Sequence, residues 1–265
     1  MQLSKRLQAV ADLVTPGNRV ADVGCDHAYT SIYLAQNSIS PNIIAMDVNQ
    51  GPIDRARDNI IKYGLEDRIE VRRSDGLEKL KEKEADTIII AGMGGELTVQ
   101  ILTGKLEVLN TTYELVLQPQ SEIYKVRQML SDHGFIITRE DMVKEDGKYY
   151  FMMRAVPSGD VEHNKKHLLS TEEHEKYLLT KKEYKKYLLT TKEHFYFGKL
   201  LLEQKNPILK EYLLWDYGIC KEILKALAAG QSDNSSQRQE EIKDRMELIQ
   251  IGLKYYDNIG KKLKG

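Results

Sequence analysis

The feature that most constrains the fold is a regular alternation of short apolar runs and amphipathic stretches over roughly the first 155 residues. The apolar runs are five or six residues long, which is typical of parallel strands covered on both faces. Strands are predicted at Arg19–Gly24, Asn42–Asp47, Ile69–Arg73, Thr87–Ala91 and Glu114–Gln118, and helices at Tyr29–Gln36, Pro52–Tyr63, Gly95–Thr103 and Glu122–His133. Strand–helix alternation at this spacing predicts an α/β fold with right-handed crossovers and a doubly wound sheet.

A different pattern closes this part of the chain. Two further β-rich runs, Phe135–Val143 and Tyr149–Val156, flank the turn signal Glu145-Asp146-Gly147-Lys148. An Asp-Gly pair between two such runs is typical of a tight β-hairpin. The sequence therefore predicts that the sheet ends in a hairpin whose final strand is antiparallel.

The composition changes after Pro157-Ser158-Gly159-Asp160, and no strand pattern follows. We therefore expect two domains: residues 1–159 contain the sheet, and residues 160–265 are helical. A ten-residue unit occurs three times over residues 168–197, in copies that begin LLST, LLTK and LLTT. Three short copies are too few for a known solenoid, so we interpret the segment as an insertion that forms a loop, short helical turns or one irregular helix.

The last stretch predicts a helical hairpin. Its apolar residues step by four and three, as in a heptad seam, at Ile242, Met246, Ile249, Leu253, Tyr256, Ile259 and Leu263. A matching upstream stripe consists of Ile208, Tyr212, Trp215, Ile219 and Ile223. The turn-rich segment 230–236 favours an antiparallel, coiled-coil-like hairpin, and we assign Trp215 to its seam rather than to a base-stacking surface.

Composition limits the class of protein. The net charge is −1, yet residues 1–159 carry 19 Lys and Arg against 23 Asp and Glu, whereas residues 160–265 carry 20 against 17. The more cationic C-terminal part is compatible with an RNA partner. No run approaches the roughly 18 apolar residues of a membrane span, and the two distant cysteines provide no disulfide framework or zinc motif. We expect a cytoplasmic monomer without metal or membrane segment, although the heptad seam leaves a dimer open.

Acids and glycines follow the first four predicted strands, at the edge where open parallel sheets bind ligands. The predicted binding residues are Asp22, Gly24, Asp26 and His27 at the first strand, Asp47 and Val48 at the second, Asp75 and Gly76 at the third, and Ala91, Gly92, Met93 and Gly94 at the fourth. Each Asp–Gly combination is common by itself, but acids at three successive strand ends together predict one ligand site.

The chemistry of these residues favours a cationic nucleoside. Gly24 lets the backbone approach a ligand closely, but Asp26 stands where a dinucleotide fingerprint has a glycine facing a pyrophosphate, and a carboxylate would repel that anion. S-adenosylmethionine has a sulfonium and an ammonium but no phosphate. Asp22 and Asp26 suit its amino-acid tail, Asp47 can accept both ribose hydroxyls, and Asp75 can accept the adenine amino group. An ordinary glycine turn with Asp26 as a helix cap is the alternative for the first motif.

Seven segments together resemble the bacterial tRNA (adenine-22-N1)-methyltransferases. They are LSKRL (Leu3–Leu7), ADVGCDHAY (Ala21–Tyr29), DVNQGP (Asp47–Pro52), SDGL (Ser74–Leu77), IIIAGMGGEL (Ile88–Leu97), LVLQPQ (Leu115–Gln120) and EDGKYY (Glu145–Tyr150). Cys25 departs from the expected Ser or Thr, and Asp47 from the common Glu. The resemblance implies a Rossmann-type methyltransferase that uses S-adenosylmethionine to methylate N1 of an adenine in the D-arm of tRNA.

The resemblance also implies roles on the acceptor side. N1 of neutral adenine already has a lone pair, so holding it in line with the methyl group is the main task. The base must first be splayed out of the RNA. The expected catalytic residues are Tyr29, by stacking, and Asp26, which binds the ammonium or alternatively stabilises the cationic product. The expected substrate-binding residues are Lys5 and Arg6 for phosphate, and Gln118 and Pro119 for the base.

Two other functions stay open on the sequence alone. The same donor site would serve a methyltransferase for a small molecule or a protein, and a non-catalytic adaptor could bind both the donor and RNA. The cationic helical part argues against the first alternative, because most RNA affinity comes from phosphate contacts. A turnover assay distinguishes an enzyme from the second alternative, the non-catalytic adaptor.

Overall fold

The computed structural model describes residues 1–158, 186–229 and 234–257. Five parallel strands form the centre of its sheet: β1 (Val20–Val23), β2 (Ile43–Asp47), β3 (Ile69–Arg73), β4 (Thr87–Ala91) and β5 (Glu114–Gln118). All but β3 are buried along nearly their whole length, which explains the continuous apolar runs that predicted them. Each strand lies within one residue of its predicted bounds.

The strand order is β3-β2-β1-β4-β5, so the chain builds outward to β3 and then returns to the other side of β1. β1 consequently pairs in parallel with both β2 and β4. A reversal of this kind opens a crevice at the carboxyl ends of the strands, where open α/β sheets bind ligands. The predicted doubly wound sheet is confirmed.

Six helices accompany the strands within residues 1–158. They are α1 (Lys5–Ala11), α2 (Tyr29–Gln36), α3 (Gln50–Tyr63), α4 (Gly95–Thr103), α5 (Leu106–Leu109) and α6 (Ile123–Asp132). No sequence pattern predicted α1 or α5. α1 begins after a Ser4 cap, whose Oγ accepts a hydrogen bond from the Leu7 amide at 3.3 Å, and its last turn is buried.

The predicted hairpin consists of β6 (Phe135–Glu145) and β7 (Lys148–Pro157). Asp146 and Gly147 join the strands with φ of 49° and 74°, the left-handed pair that a two-residue hairpin turn requires. β7 lies antiparallel between β5 and β6. Its pairing with β5 ends at Met153 opposite Leu117, so the hairpin extends past the carboxyl edge of the parallel strands.

The chain divides into two compact units, Met1–Leu188 and Leu189–Gly265. The predicted boundary after residue 159 lies where the described residues stop, and it stays a proposal. Most of the first two repeat copies falls outside the described residues. The third copy contains α7 (Lys192–Phe197), a short helical turn of the kind that was one of the interpretations of the repeat.

The second unit is helical, as predicted. After α7 come α8 (Lys199–Glu203), α9 (Pro207–Ala229) and α10 (Asn234–Asp257). α9 and α10 are antiparallel, because Asp216 pairs with Arg245 while Leu213 packs at Gly252. Ile242 and Ile249 of the predicted seam are buried, whereas Ile259 and Leu263 lie outside the described residues. Within the described residues, no helix combines the length and apolar character needed to cross a membrane.

The buried face of α9 corrects the predicted stripe. Its buried residues are Leu209, Leu213, Asp216 and Cys220, each one position later than predicted. Trp215 is 52% exposed, so its assignment to the seam is wrong. α9 is apolar around most of its circumference, so a hydrophobic stripe alone does not fix its rotation. The Arg245 guanidinium, which donates to Asp216 at 3.0 and 2.9 Å, selects a face that contains a carboxylate.

Candidate active site

The turn from β1 to α2 is strained and tightly held. Gly24 has a φ of 77°, and the amides of Gly24 and Cys25 both donate to the carbonyl of Met46 in β2, at 2.8 and 2.9 Å. His27 and Ala28 also adopt left-handed φ, near 55°. Non-glycine residues in this region cost free energy and concentrate at functional sites. The backbone here is therefore held in a specific shape rather than in a relaxed turn.

Three of the predicted acids lie close together at this turn. Burial raises the pKa of Asp22 to about 6, opposed by a 2.7 Å hydrogen bond from the Ser31 hydroxyl, and Asp47 raises it further. Burial also raises the pKa of the Cys25 thiol, and next in importance are the negative charges of Asp22, Asp47 and Asp26. Because the charges of all three carboxylates act on the Cys25 thiol, the three carboxylates lie near that thiol. The structure thus brings together acids that are up to 25 residues apart in sequence.

Asp26, His27 and Tyr29 form the outer wall of the turn. Asp26 accepts a hydrogen bond from Arg55 of α3 at 2.7 Å, and the His27 Nε2 lies 3.7 Å from the same carboxylate oxygen. The His27 and Tyr29 rings stack with centroids 5.2 Å apart and planes 6° from parallel. Asn59 of α3 donates to the His27 carbonyl at 2.9 Å. Tyr29 is 39% exposed, so its ring is accessible to a planar ligand.

The ends of β2 and β3 meet beside this wall. Asp47 accepts a hydrogen bond from the Asn49 amide at 2.9 Å, and its own carbonyl accepts one from the Ser74 amide at 3.0 Å. Val48 and Asp75 are exposed. Gly76, with a φ of 48°, packs against α4, where an added Cβ would lie 3.0 Å from Ile101. The glycine at this position therefore has a packing reason besides any ligand.

The loop after β4 completes the edge. Ala91, Gly92 and Gly94 are partly exposed, and the Met93 side chain lies across Gly24, where any Cβ would clash with the Met93 methyl group. The loop is tied to β5 and the residues after it, because the Gly92 amide donates to the Gln118 carbonyl at 3.0 Å and the Gln120 amide to that of Met93 at 2.8 Å. The first and fourth predicted segments thus lie in contact.

The four predicted substrate-binding residues have different surroundings. Lys5 is exposed, and its backbone amide donates to Glu145 at the hairpin tip at 2.6 Å. Arg6 donates to the Gln118 side-chain oxygen at 2.7 Å. Gln118 is 0% exposed, and its amide nitrogen donates to the Pro119 carbonyl at 3.3 Å, so both ends of the side chain are engaged. Pro119 is also buried. This placement argues against direct contact between Gln118 and a base.

No sequence pattern predicted the residues of α3 that hydrogen-bond to the turn between β1 and α2. Arg55 and Asn59 of α3 fix Asp26 and His27, yet both lie in an ordinary amphipathic helix and carry no motif. Their i,i+4 spacing places them on one face of α3, which is a signal that becomes meaningful only once that face is known to meet the turn. Within the described residues, no group of three or more His, Cys, Asp or Glu side chains could hold a metal ion.

Comparisons with known proteins agree with this geometry. A family model described as "Methyltransferase domain" matches residues 3–153. The chain is 39% identical to the tRNA (adenine(22)-N(1))-methyltransferase of Bacillus subtilis (strain 168) over 155 residues, a match that spans 58% of this chain and 65% of that protein. The crystal structure of the B. subtilis M1A22 tRNA methyltransferase TrmK covers 95% of this chain and 99% of its own, with a TM-score of 0.77 and 30% identity. The chain therefore belongs to the family of these tRNA (adenine-22-N1)-methyltransferases.

A further solved structure of a similar protein contains a bound ligand. The Streptococcus pneumoniae protein Sp1610, a putative tRNA (m1A22) methyltransferase solved in complex with S-adenosyl-L-methionine, covers 95% of this chain and 100% of its own, with a TM-score of 0.76 and 28% identity. The likeness includes the helical second unit, since it extends well beyond residues 3–153. The family membership that the seven sequence segments implied is therefore confirmed.

Proposed function

We propose that the protein transfers a methyl group from S-adenosylmethionine to N1 of the adenine at position 22, in the D-arm of tRNA. The observation that carries the proposal is the group of carboxylates, Asp22, Asp26 and Asp47, at the point where the strand order reverses. The likeness to the B. subtilis enzyme supports the choice of tRNA adenine over a small molecule or a protein. That relative is matched over 65% of its length.

The donor side fits a cationic ligand. S-adenosylmethionine supplies an electrophilic methyl group on a sulfonium and carries a second positive charge on its ammonium. Asp22 and Asp26 are assigned to the ammonium, and Asp47 to the ribose hydroxyls, with Val48 beside it. Asp75 and Gly76 are assigned to the adenine end of the donor, with Met93 over its ring. Gly24, His27 and Ala91–Gly94 supply the close backbone approach of the first and fourth loops.

The acceptor side needs orientation more than proton transfer. Tyr29 is assigned to stack on the target adenine, because its exposed ring is held in place by His27 behind it. Neutral N1 needs no base, so catalysis rests on alignment, an effect that can contribute roughly 7–11 kcal/mol. The alternative role proposed for Asp26, at the same turn, is to stabilise the positive charge of the methylated adenine.

Residues 160–265 are proposed to add RNA affinity. Within the described residues of the second unit, three lysines lie over tyrosine rings: Lys192 over Tyr196, Lys210 over Tyr256 and Lys221 over Tyr217, at 5.9, 5.8 and 4.8 Å from the ring centroids. The three ammonium groups can contact phosphates, and the Tyr196 ring, which is 38% exposed, can also offer a stacking surface. We further propose a monomer, because Ile242 and Ile249 of the seam are buried in the single chain, and a cytoplasmic location, which rests on the tRNA substrate.

The test is incubation of the full-length protein with unmodified tRNA and labelled S-adenosylmethionine, followed by nuclease digestion and mass spectrometry. The expected product is N1-methyladenosine at position 22. Labelled RNA at another atom or nucleotide would refute the assignment of the acceptor. Donor and tRNA binding without turnover would support the adaptor instead, and turnover only with small molecules or proteins would overturn the tRNA substrate.

A further inference from the structure

Arg6 is clamped at the edge of the candidate active site. Its Nη1 donates to the buried Gln118 side-chain oxygen at 2.7 Å, and its Cζ lies 5.6 Å from the centroid of the Tyr150 ring. Tyr150 belongs to the part of β7 that extends past β5. Three elements far apart in sequence, α1, β5 and β7, therefore converge on one guanidinium.

The partners of Arg6 are neutral. Within the described residues, no carboxylate oxygen lies within 4.0 Å of its guanidinium. Several other arginines of the same unit are paired with acids: Arg19 with Asp86, Arg55 with Asp26, Arg72 with Glu70 and Glu84, and Arg127 with Glu140. Arg68, Arg73 and Arg139 instead donate to backbone carbonyls. A guanidinium has five N–H donors in a fixed fork, and the Gln118 bond uses one nitrogen. Arg6 thus keeps its charge and most of its donors for an anion.

The guanidinium also lies beside the methyl-donor edge. A Cβ added to Gly92 would be 3.6 Å from the Arg6 Nη1 and 3.7 Å from the Gln120 Nε2. Gly92 directly follows β4, in the loop that packs on the β1 turn. An anion held by Arg6 would therefore be a near neighbour of the group that receives the methyl.

We propose that Arg6 binds a backbone phosphate adjacent to the target adenine, and that Gln118 is a positioning residue that holds Arg6 rather than a contact to the base. This inference rests on the proposed function. A phosphate is the anion that accompanies any splayed nucleotide, and the planar guanidinium matches its oxygens. Contact with the adenine ring itself would be unfavourable, because methylation of N1 makes that ring cationic.

Synthetic RNA substrates with one neutral methylphosphonate linkage, placed 5′ or 3′ of the target adenosine, test the contact. With the wild-type protein, one of the two substrates should lose about tenfold to hundredfold in kcat/KM, the range for a hydrogen bond to a charged group. Arg6→Ala should lose a similar factor on the natural linkage and show no further loss on the neutral one. Equal sensitivity of both proteins to each neutral linkage would overturn the proposal.

The controls separate this inference from the proposed function. Arg139→Ala removes an exposed arginine of the same unit, whose Nη1 donates to the Asp12 carbonyl, and should retain the wild-type sensitivity to the neutral linkages. Calorimetry with S-adenosylhomocysteine should give the same affinity for Arg6→Ala and wild type. If the wild-type protein does not methylate RNA at all, the proposed function fails. If it does and only the linkage effect is absent, the Arg6 inference alone fails.

The positioning role of Gln118 makes a separate prediction. Gln118→Ala should raise KM for RNA while leaving kcat nearly unchanged, and the double variant with Arg6→Ala should be no worse than Arg6→Ala alone. A fall in kcat with additive losses would instead place Gln118 on the base. Gln118→Glu keeps the shape and an acceptor for Arg6 but loses the donor to the Pro119 carbonyl, so thermal unfolding of both variants checks that they are folded. Gln118→Glu should weaken RNA binding, because its carboxylate competes with phosphate for the guanidinium.

Discussion

Buried carboxylates are treated differently in two regions of the molecule. Asp22, at the carboxyl edge of the sheet, is 5% exposed, accepts a hydrogen bond from the Ser31 hydroxyl, and has a pKa raised to about 6. Glu140 in β6 and Asp216 in α9 are similarly buried, but each pairs with an arginine, Arg127 and Arg245 respectively. The paired carboxylates are stabilised by the fold itself, whereas Asp22 is stabilised only partly.

The difference indicates what each carboxylate is for. A buried charge without a countercharge costs free energy, so a protein that keeps one gains something outside stability. A cationic ligand would supply the missing countercharge at Asp22. Buried carboxylates that already have an arginine need no ligand, so Glu140 and Asp216 belong to the structure of their units. Asp26 also pairs with an arginine, Arg55, but its carboxylate is exposed and stays accessible to a ligand.

The largest effect is expected where a paired carboxylate loses its arginine. Arg127→Ala leaves Glu140 buried without its 2.8 Å partner and removes the packing of Arg127 over Phe151. The free energy of unfolding should fall by about 3–5 kcal/mol, measured by urea denaturation at neutral pH. A variant that replaces both residues with apolar side chains of similar size should recover most of the loss. If Arg127→Ala is nearly neutral, the pair is not structural.

The opposite sign is expected at the unpaired carboxylate. Because folding raises the pKa of Asp22 from 3.8 to about 6, the folded state holds the proton more tightly, and stability from this group falls as pH rises through that window. Asp22→Asn removes the charge and should stabilise the protein by up to about 3 kcal/mol at pH 7, with no difference below about pH 4. Urea denaturation at several pH values measures this difference.

The same residue should link donor binding to pH. Protonation of Asp22 removes a negative charge from the site, so the affinity of the wild-type protein for S-adenosylmethionine should decline as pH falls below about 6. Asp22→Asn should bind weakly and with little pH dependence over that range. Calorimetric titrations between pH 5 and 8 compare the two. If Asp22→Asn is less stable than the wild type and binds the donor normally, then Asp22 is a structural carboxylate like Glu140.

A smaller effect is expected at Asp47. Asp47→Ala should weaken donor binding about tenfold to hundredfold, because hydrogen bonds from the ribose to a charged acceptor are lost. Asp54→Ala is the matched control, since it removes an exposed acid of α3. Calorimetry with S-adenosylmethionine should separate the two variants. Equal, near-normal affinities would move the ribose contact elsewhere.

The smallest effect is expected at Trp215, which was wrongly predicted to lie in the seam. Trp215→Ala should change the free energy of unfolding by less than about 1 kcal/mol, because the side chain is 52% exposed. Leu213→Ala, two positions earlier and fully buried, should cost about 2–5 kcal/mol. Thermal and urea unfolding of the full chain compare them. A larger loss for Trp215→Ala would restore Trp215 to the seam.

Local signals predicted most of the sheet unit. Each parallel strand except β3 is a largely apolar run that predicts a strand whatever surrounds it, and Asp146-Gly147 determines its turn through its own φ preferences. α1 was missed because its short sequence, KRLQAVA, has little periodicity, and its burial depends on the sheet it covers. The prediction of the buried face of α9 was wrong for a related reason, because the pairing of Asp216 with Arg245 joins residues that are 29 positions apart.

The sequence by itself determined the fold class, the hairpin, and the identity of the acids and glycines at the strand ends, because each depends on neighbours along the chain. The tertiary structure alone decided which of those residues work together. It placed Asp22, Asp26 and Asp47 around one turn and gave Arg55 to Asp26. It also buried Gln118 under Arg6. The interaction of two charges depends on the distance between them in space and on the exclusion of water, and neither quantity follows from the order of the residues in the sequence.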